Sequence, residues 1–156
     1  MRRLATIGVY GFSAETFLNA LREAGVGLVI DVRQRRGVRG SEYAWANSQR
    51  LQAALARAGI DYRHRKELAP TTELRELQYA EDDRRGVGKR SRTELAPEYV
   101  RRYTEEILDR ADLDAVARAV PDGTLAALLC VERDPEACHR SLVAERLARE
   151  VVDLRP

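Results

Sequence analysis

Short apolar runs alternate along this chain with stretches in which apolar residues recur every three or four positions. Leu4 to Val9 is apolar and β-branched and predicts a strand. Ser13 then offers a helix cap, Phe17, Leu18, Leu21 and Ala24 follow at helical spacing, and Gly25 supplies the stop. Gly27 to Val32 is an apolar run broken only by Asp31, the pattern of a strand covered on both faces. Arg33 to Ala46 reads as a polar, arginine-rich loop. A helix capped by Asn47 or Ser48 carries Leu51, Ala54, Leu55 and Ala58 and ends at Gly59, and Ile60 to His64 alternates as a third strand. Leu74 and Leu77 predict a short helix opened by Thr71 or Thr72, whereas Glu81 to Arg92 has no apolar period and two glycines. Pro97 opens a helix bearing Val100, Tyr103 and Ile107. Another runs from Asp112 with Leu113, Val116, Ala117 and Val120. After the Pro121-Asp122-Gly123 turn, Thr124 to Val131 is the most hydrophobic strand. Asp134 caps, and Pro135 begins, a last helix with Leu142, Val143 and Leu147, and Val151 to Leu154 suits a short final strand.

Buried strands alternating with helices predict a three-layer α/β domain: a mostly parallel sheet of four to five strands with helices on both faces. A chain of 156 residues, 44% hydrophobic and 33% charged, is long and apolar enough to bury one core. Residues 1–156 are therefore expected to form one domain, with 81–92 as a mobile loop within it. Sites in such folds lie beyond the carboxyl ends of the strands, so the residues that follow each strand carry the interest.

The formal net charge is only +2, but it is unevenly spread. Arg33, Arg35, Arg36 and Arg39 form an acid-free cluster, and five basic residues lie between Arg84 and Arg92. Such patches suit an anionic partner. Two cysteines and no apolar run near the roughly 20 residues of a membrane span point to a cytoplasmic protein with reduced thiols and no membrane partner.

The densest chemistry lies at the last strand-to-helix junction, where Cys130, Glu132, Asp134, Cys138, His139 and Arg140 follow one another. A thiol at a strand end faces a helix N-terminus, which attracts anions and favours a thiolate. On an ideal helix Arg140 shares the core-facing stripe with Ala144 and Leu147, and Cys138 points nearly opposite to it. Asp31, Arg33 and His64 end two other strands. His64, Cys130, Cys138 and His139 offer four N/S donors. Adjacent helical residues diverge by about 100°, however, so neither a metal nor any other cofactor is expected. The Cys-x5-Arg loop of a protein tyrosine phosphatase is absent, since Glu136 stands six positions after Cys130. A redox pair of Cys130 with Cys138 stays open. Trp45 and Tyr43 beside Arg35, Arg36 and Arg39 could stack on nucleic-acid bases, or Trp45 could fold its loop back onto the core.

Thr6-Ile7-Gly8, Phe17-Leu18, Asp31-Val32-Arg33, Gly59-Ile60-x-Tyr62-x-His64, Glu67-Leu68 and Cys130-x-Glu132-x-Asp134-Pro135-x-x-Cys138-His139-Arg140-Ser141 occur in that order. Together they resemble the domain of unknown function 488 family of small bacterial and archaeal proteins, over nearly the whole chain. The resemblance implies a compact α/β domain with a shared polar site at Thr6, Gly8, Asp31, Arg33, His64, Cys130, Glu132, Asp134, Cys138, His139 and Arg140, and no established activity. The chain departs from the family pattern after Arg33, where Gly37-Val38-Arg39-Gly40 replaces a proline and a Ser-Arg pair. It departs again at Val9, where the family often has histidine or tyrosine.

The leading expectation is an enzyme acting on a phosphate-bearing small molecule, a nucleotide or nucleoside derivative, in the class of a cysteine-containing transferase or hydrolase. Cys130, Glu132, Asp31 and His64 are its candidate catalytic residues, and Arg33, Arg140, His139, Thr6 and Gly8 its candidate substrate-binding residues. Two alternatives stand beside it. One is a nucleic-acid-binding or processing module using Arg35, Arg36, Arg39 and Trp45. The other is a small-anion-binding regulatory module without chemistry. Oligomeric state is not legible in the residues.

Overall fold

The strand Leu125–Leu129 shows why the chain folds in layers. All five of its residues are apolar, and alternate side chains leave a strand on opposite faces. Ala127 and Leu129 enter one core with Ile7, Phe17, Leu21, Leu51 and Leu55. Ala126 and Leu128 enter another with Leu74, Tyr99, Tyr103, Val116, Val143 and Leu147. Such a strand is stable only in the middle of a sheet covered on both sides.

The computed structural model describes residues 1–88 and 90–156. Among them β1 (Arg3–Ile7), β2 (Val26–Asp31), β3 (Asp61–His64), β4 (Leu125–Leu129) and β5 (Glu150–Leu154) form one sheet in the order β3-β2-β4-β1-β5. Every pairing is parallel. Helices α1 (Ala14–Ala24) and α2 (Ser48–Arg57) cover one face. Helices α3 (Thr72–Arg85), α4 (Pro97–Glu106), α5 (Leu113–Arg118) and α6 (His139–Leu147) cover the other. This is the predicted three-layer α/β fold. No helix of the described residues is long and apolar enough to cross a membrane.

Local chemistry sets most boundaries. Ser13 accepts from Thr16 N in a capping box, and Gly25 closes α1 in the left-handed region at φ 76°. Thr71 and Asp112 cap α3 and α5, and Pro97 opens α4. Asn47 precedes α2, but its side chain accepts from Val38 N (2.7 Å) and so pins the arginine-rich loop instead of capping. That loop is not wholly irregular, since Ser41–Ala46 winds into a 3-10 helix.

Two predicted boundaries are corrected. Residues 81–85 belong to α3, because Glu81 is clamped by Arg84 and Arg85 and the helix stops only at Gly86, at φ 71°. The connection therefore starts at Gly86, and Lys89 within it lies outside the described residues. The second correction concerns the last helix. Asp134 and Pro135 open only the 3-10 turn Pro135–Ala137. The chain is then extended at Cys138 (φ −141°, ψ 143°), and α6 begins at His139. The break has a cause: the Ala137 carbonyl accepts from Arg92 Nε and Nη2 (3.2 and 3.1 Å) and is diverted from helical bonding.

At the carboxyl end of the sheet β1 and β4 stay zipped past their last residues. Val9 N and Tyr10 N both donate to the Val131 carbonyl (3.0 and 3.1 Å). The backbones come so close that a Cβ on Gly8 would lie far inside van der Waals contact distance of the Glu132 carbonyl oxygen. Gly8→Ala is expected to cost about 3 kcal/mol or more and to lower the melting temperature by a few degrees per kcal/mol, as measured by urea and thermal denaturation.

Candidate functional site

A cleft of about 770 Å³ lies over the carboxyl ends of the strands. Tyr10 after β1, Arg33 to Arg35 and Gly37 to Arg39 after β2, and Cys130 to Glu132 after β4 build one side. Arg75, Gln78 and Tyr79 from α3, Arg90 and Arg92 from the connection after it, and Tyr99 from α4 build the other. Ala137, Cys138 and His139 close the floor.

The floor is held by a buried polar network around Arg92. Its guanidinium donates to the Ala137 carbonyl, to Asp82 (2.7 Å) and to Glu132 (3.2 Å). Asp82 also accepts from Gln78 (2.9 Å), whose own carbonyl oxygen accepts from Ala96 N. Both ends of the connection are therefore anchored inside the protein, and a closing motion of all of 81–92 would have to break a buried ion pair. Glu132 is pushed up to about 7 by burial, which outweighs the pull of Arg92.

On this floor Cys130, Cys138 and His139 meet. Both sulfurs approach His139 Nδ1, at 3.8 Å from Cys130 and 3.7 Å from Cys138, and all three residues are buried. His139 Nε2 donates to the Val32 carbonyl at 2.9 Å. The expectation that Cys138 points away from the site is corrected: it assumed a helical Cys138, and the residue is extended. The two thiols divide their protons unequally. The hydrogen bond to Cys138, together with burial, holds Cys130 well above the ordinary thiol range. Burial also opposes ionisation of Cys138, but the bond from Cys130 and the neighbouring His139 outweigh it and pull Cys138 below that range.

The other predicted site residues scatter. Arg33 lines the cleft, yet its guanidinium is buried against Asp31 (2.9 and 2.8 Å) and the Ala46 carbonyl (2.9 Å). Arg140 is fully buried and donates to the carbonyls of Glu132 and Arg133 (2.6 and 3.2 Å). Its Nε has no partner among the described residues. Both arginines were expected to hold an anion, and both are instead engaged in fastening loops to the sheet. Asp31 accepts from Arg33 and Tyr62 beneath the cleft. His64 donates to the Arg33 carbonyl (2.9 Å) away from the cleft lining. Thr6 donates to Asp153 of β5 (2.6 Å), and Gly8 serves the close approach of β1 to the Glu132 loop. Asp134 pairs with Arg155 at the surface. Trp45 packs on Phe17 with ring centroids 4.9 Å apart and is half-buried, so it folds its loop onto the core.

Sequence reasoning passed over Gln78, Asp82 and Arg92 as individual residues, together with Arg75 and Arg90. The signal was available in part. Leu74, Gln78 and Asp82 recur at i, i+4, i+8, so one face of α3 continues its buried stripe with polar groups that demand a partner. Arg90 lies over the rings of Tyr10 (4.8 Å) and Tyr43 (5.3 Å), which hold its guanidinium at the rim.

Two substitutions separate anchoring from binding. Asp31→Ala leaves a buried, unpaired Arg33 and should cost about 3–5 kcal/mol in urea denaturation. Arg140→Ala removes charged hydrogen bonds to two loop carbonyls and should cost about 2–3 kcal/mol. A variant as stable as the native protein would show that these guanidinium groups do not fasten the loops.

The comparison with known proteins agrees with the ordered motifs. No curated protein and no solved structure matches the chain. The model of one family spans residues 13–147, from the cap of α1 to the last residue of α6. The protein belongs to the family described as Domain of unknown function DUF488.

Proposed function

We propose that this protein is an enzyme acting on a phosphate-bearing small molecule, a nucleotide or nucleoside derivative, bound in the cleft over the strand ends. One observation carries the reading: the cleft holds more positive charge than the protein itself balances. Arg33 and Arg92 are paired internally with Asp31 and Asp82. Arg35, Arg39 and Arg75 line the cleft with no ion pair among the described residues, and the ion pair that Arg90 makes among them is with Glu42 at the exposed surface, at 3.5 Å. Against these four stands Glu132, the single carboxylate of the described lining, and it is already paired with Arg92. A phosphate group would relieve this excess, and guanidinium groups suit it through charge and paired donors. Tyr10, Tyr79, Tyr99 and Leu95 supply apolar wall for a base or sugar.

In this reading Arg35, Arg39, Arg75 and Arg90 take over the anion-holding role that Arg33 and Arg140 were expected to play. Glu132 moves the proton, being the lining carboxylate within reach of a bound group. Cys130 is a wall of the pocket. An attacking Cys130 is unfavourable because burial and its bond to Cys138 oppose its ionisation.

Nucleotides should raise the melting temperature by mass action, while the matching nucleosides leave it nearly unchanged. Arg39→Ala and Arg90→Ala should each weaken nucleotide binding about tenfold, the cost of one charged hydrogen bond of about 1.4 kcal/mol. Arg36→Ala, whose guanidinium donates to Tyr62 (3.3 Å) outside the cleft, should not. Equal shifts from nucleosides, or a shift only with oligonucleotides that added salt erases, would defeat the proposal.

With a nucleotide that binds, mass spectrometry should detect product. Glu132→Gln should cut turnover at least about 100-fold while the melting shift persists. Binding without product would leave a sensor and no enzyme.

A further inference from the structure

The thiol-imidazole cluster on the cleft floor has no task in that reading. From its geometry we infer that Cys130, Cys138 and His139 form a three-ligand site for a soft divalent cation, zinc above all, with the fourth position open to the cleft. The inference stands independently of the anion reading, since it uses none of the rim arginines.

The imidazole is oriented as a ligand. The Val32 carbonyl can only accept, so Nε2 carries the ring proton of the neutral imidazole. Nδ1 is then bare, and its lone pair faces both sulfurs. A backbone carbonyl that holds the far ring nitrogen is the usual support of a metal-bound histidine.

Spacing agrees as well. Zinc bonds of about 2.3 Å to sulfur and about 2.0–2.1 Å to nitrogen, at a tetrahedral angle, place sulfur and nitrogen about 3.5 Å apart. The sulfur-to-nitrogen distances here are 3.8 and 3.7 Å. The three donor atoms all lie within 4.8 Å of one another, against about 3.8 Å for two sulfurs on a tetrahedral zinc, so side-chain rotations that move the sulfurs by up to about an ångström would complete the geometry. Sequence neighbours can ligate together here because Cys138 is extended and only His139 is helical. The cysteines are not disulfide-bonded.

Charge and softness select the ion. Two thiolates and a neutral imidazole neutralise a divalent cation, which allows the group to be buried. Thiolate donors favour zinc over magnesium or calcium. All three residues line the cleft, as does Glu132. Water or a substrate oxygen can therefore take the fourth position beside a carboxylate, the arrangement of a catalytic centre and not of a closed structural one.

The test uses the whole chain, reduced and stripped of metal, under anaerobic conditions. Titration with Co(II) should give visible d–d bands of tetrahedral intensity and a near-ultraviolet thiolate-to-cobalt band. Both should saturate at one equivalent and be displaced by one equivalent of zinc. Zinc should bind with a Kd in about the nanomolar range or tighter and raise the melting temperature. Cys138→Ser and His139→Gln should each weaken zinc binding at least about 100-fold and remove or blue-shift the charge-transfer band, with the far-ultraviolet circular dichroism confirming the fold.

The native protein alone decides the matter if a variant fails to fold. Absence of the charge-transfer band, zinc bound at well below one equivalent, or unchanged affinity in a folded Cys138→Ser variant would overturn the site. So would a reduced protein that ignores zinc and instead loses both thiols to a disulfide on mild oxidation, which would mark a redox pair. Nucleotide binding by the metal-free protein is read separately, so failure of either proposal leaves the other measurable.

Discussion

Arg92 joins three separate segments of the chain at one point. Its guanidinium reaches Asp82 on α3, Glu132 after β4 and the Ala137 carbonyl before α6. Arg92 is itself buried, and a buried guanidinium without partners would be strongly unfavourable, so each contact constrains where the others lie. The bond to Ala137 has the largest consequence. It interrupts what would have been one continuous helix from Asp134 and leaves Cys138 extended, which swings its sulfur onto the same imidazole nitrogen as Cys130. The shape of the cleft floor thus depends on an ion-paired side chain more than 35 residues away in sequence.

The same accounting sorts the arginines, which are abundant here. Arg33, Arg92 and Arg140 are buried among the described residues, and each is engaged by carboxylates or carbonyls of the protein. Desolvation leaves no alternative, because a guanidinium stays charged and must find acceptors inside. Arg35, Arg39, Arg75 and Arg90 face the cleft with little internal compensation. The anchoring arginines are therefore buried, and the uncompensated ones stand on both sides of the cleft. A cleft of this kind concentrates positive potential where the sheet already opens.

Much of the fold was legible because its cause is local. The apolar period of β4, the Ser13 cap, the glycine after α1 and Pro97 each act within a few residues, and each marks the element found in the structure. The cluster at the last junction was legible as a concentration of chemistry. The route taken by its chain was not. Asp134-Pro135 is a sound helix-start signal, and it does start a turn. What stops that turn after three residues is a guanidinium approaching from another segment, which no local pattern announces. The polar residues Gln78 and Asp82 on the buried face of α3 were a mark of the missing partner, readable only as an unsatisfied demand.

The sequence by itself determined the layered α/β architecture, the strand ends as the place of the cleft, and family membership. These follow from side-chain period, turn chemistry and ordered motifs, all written along the chain. Tertiary structure alone decided which charged residues anchor and which face the cleft, and that Cys130, Cys138 and His139 converge while His64 does not. Those outcomes depend on desolvation, and desolvation is a property of what packs around a group in space, not of its neighbours in sequence.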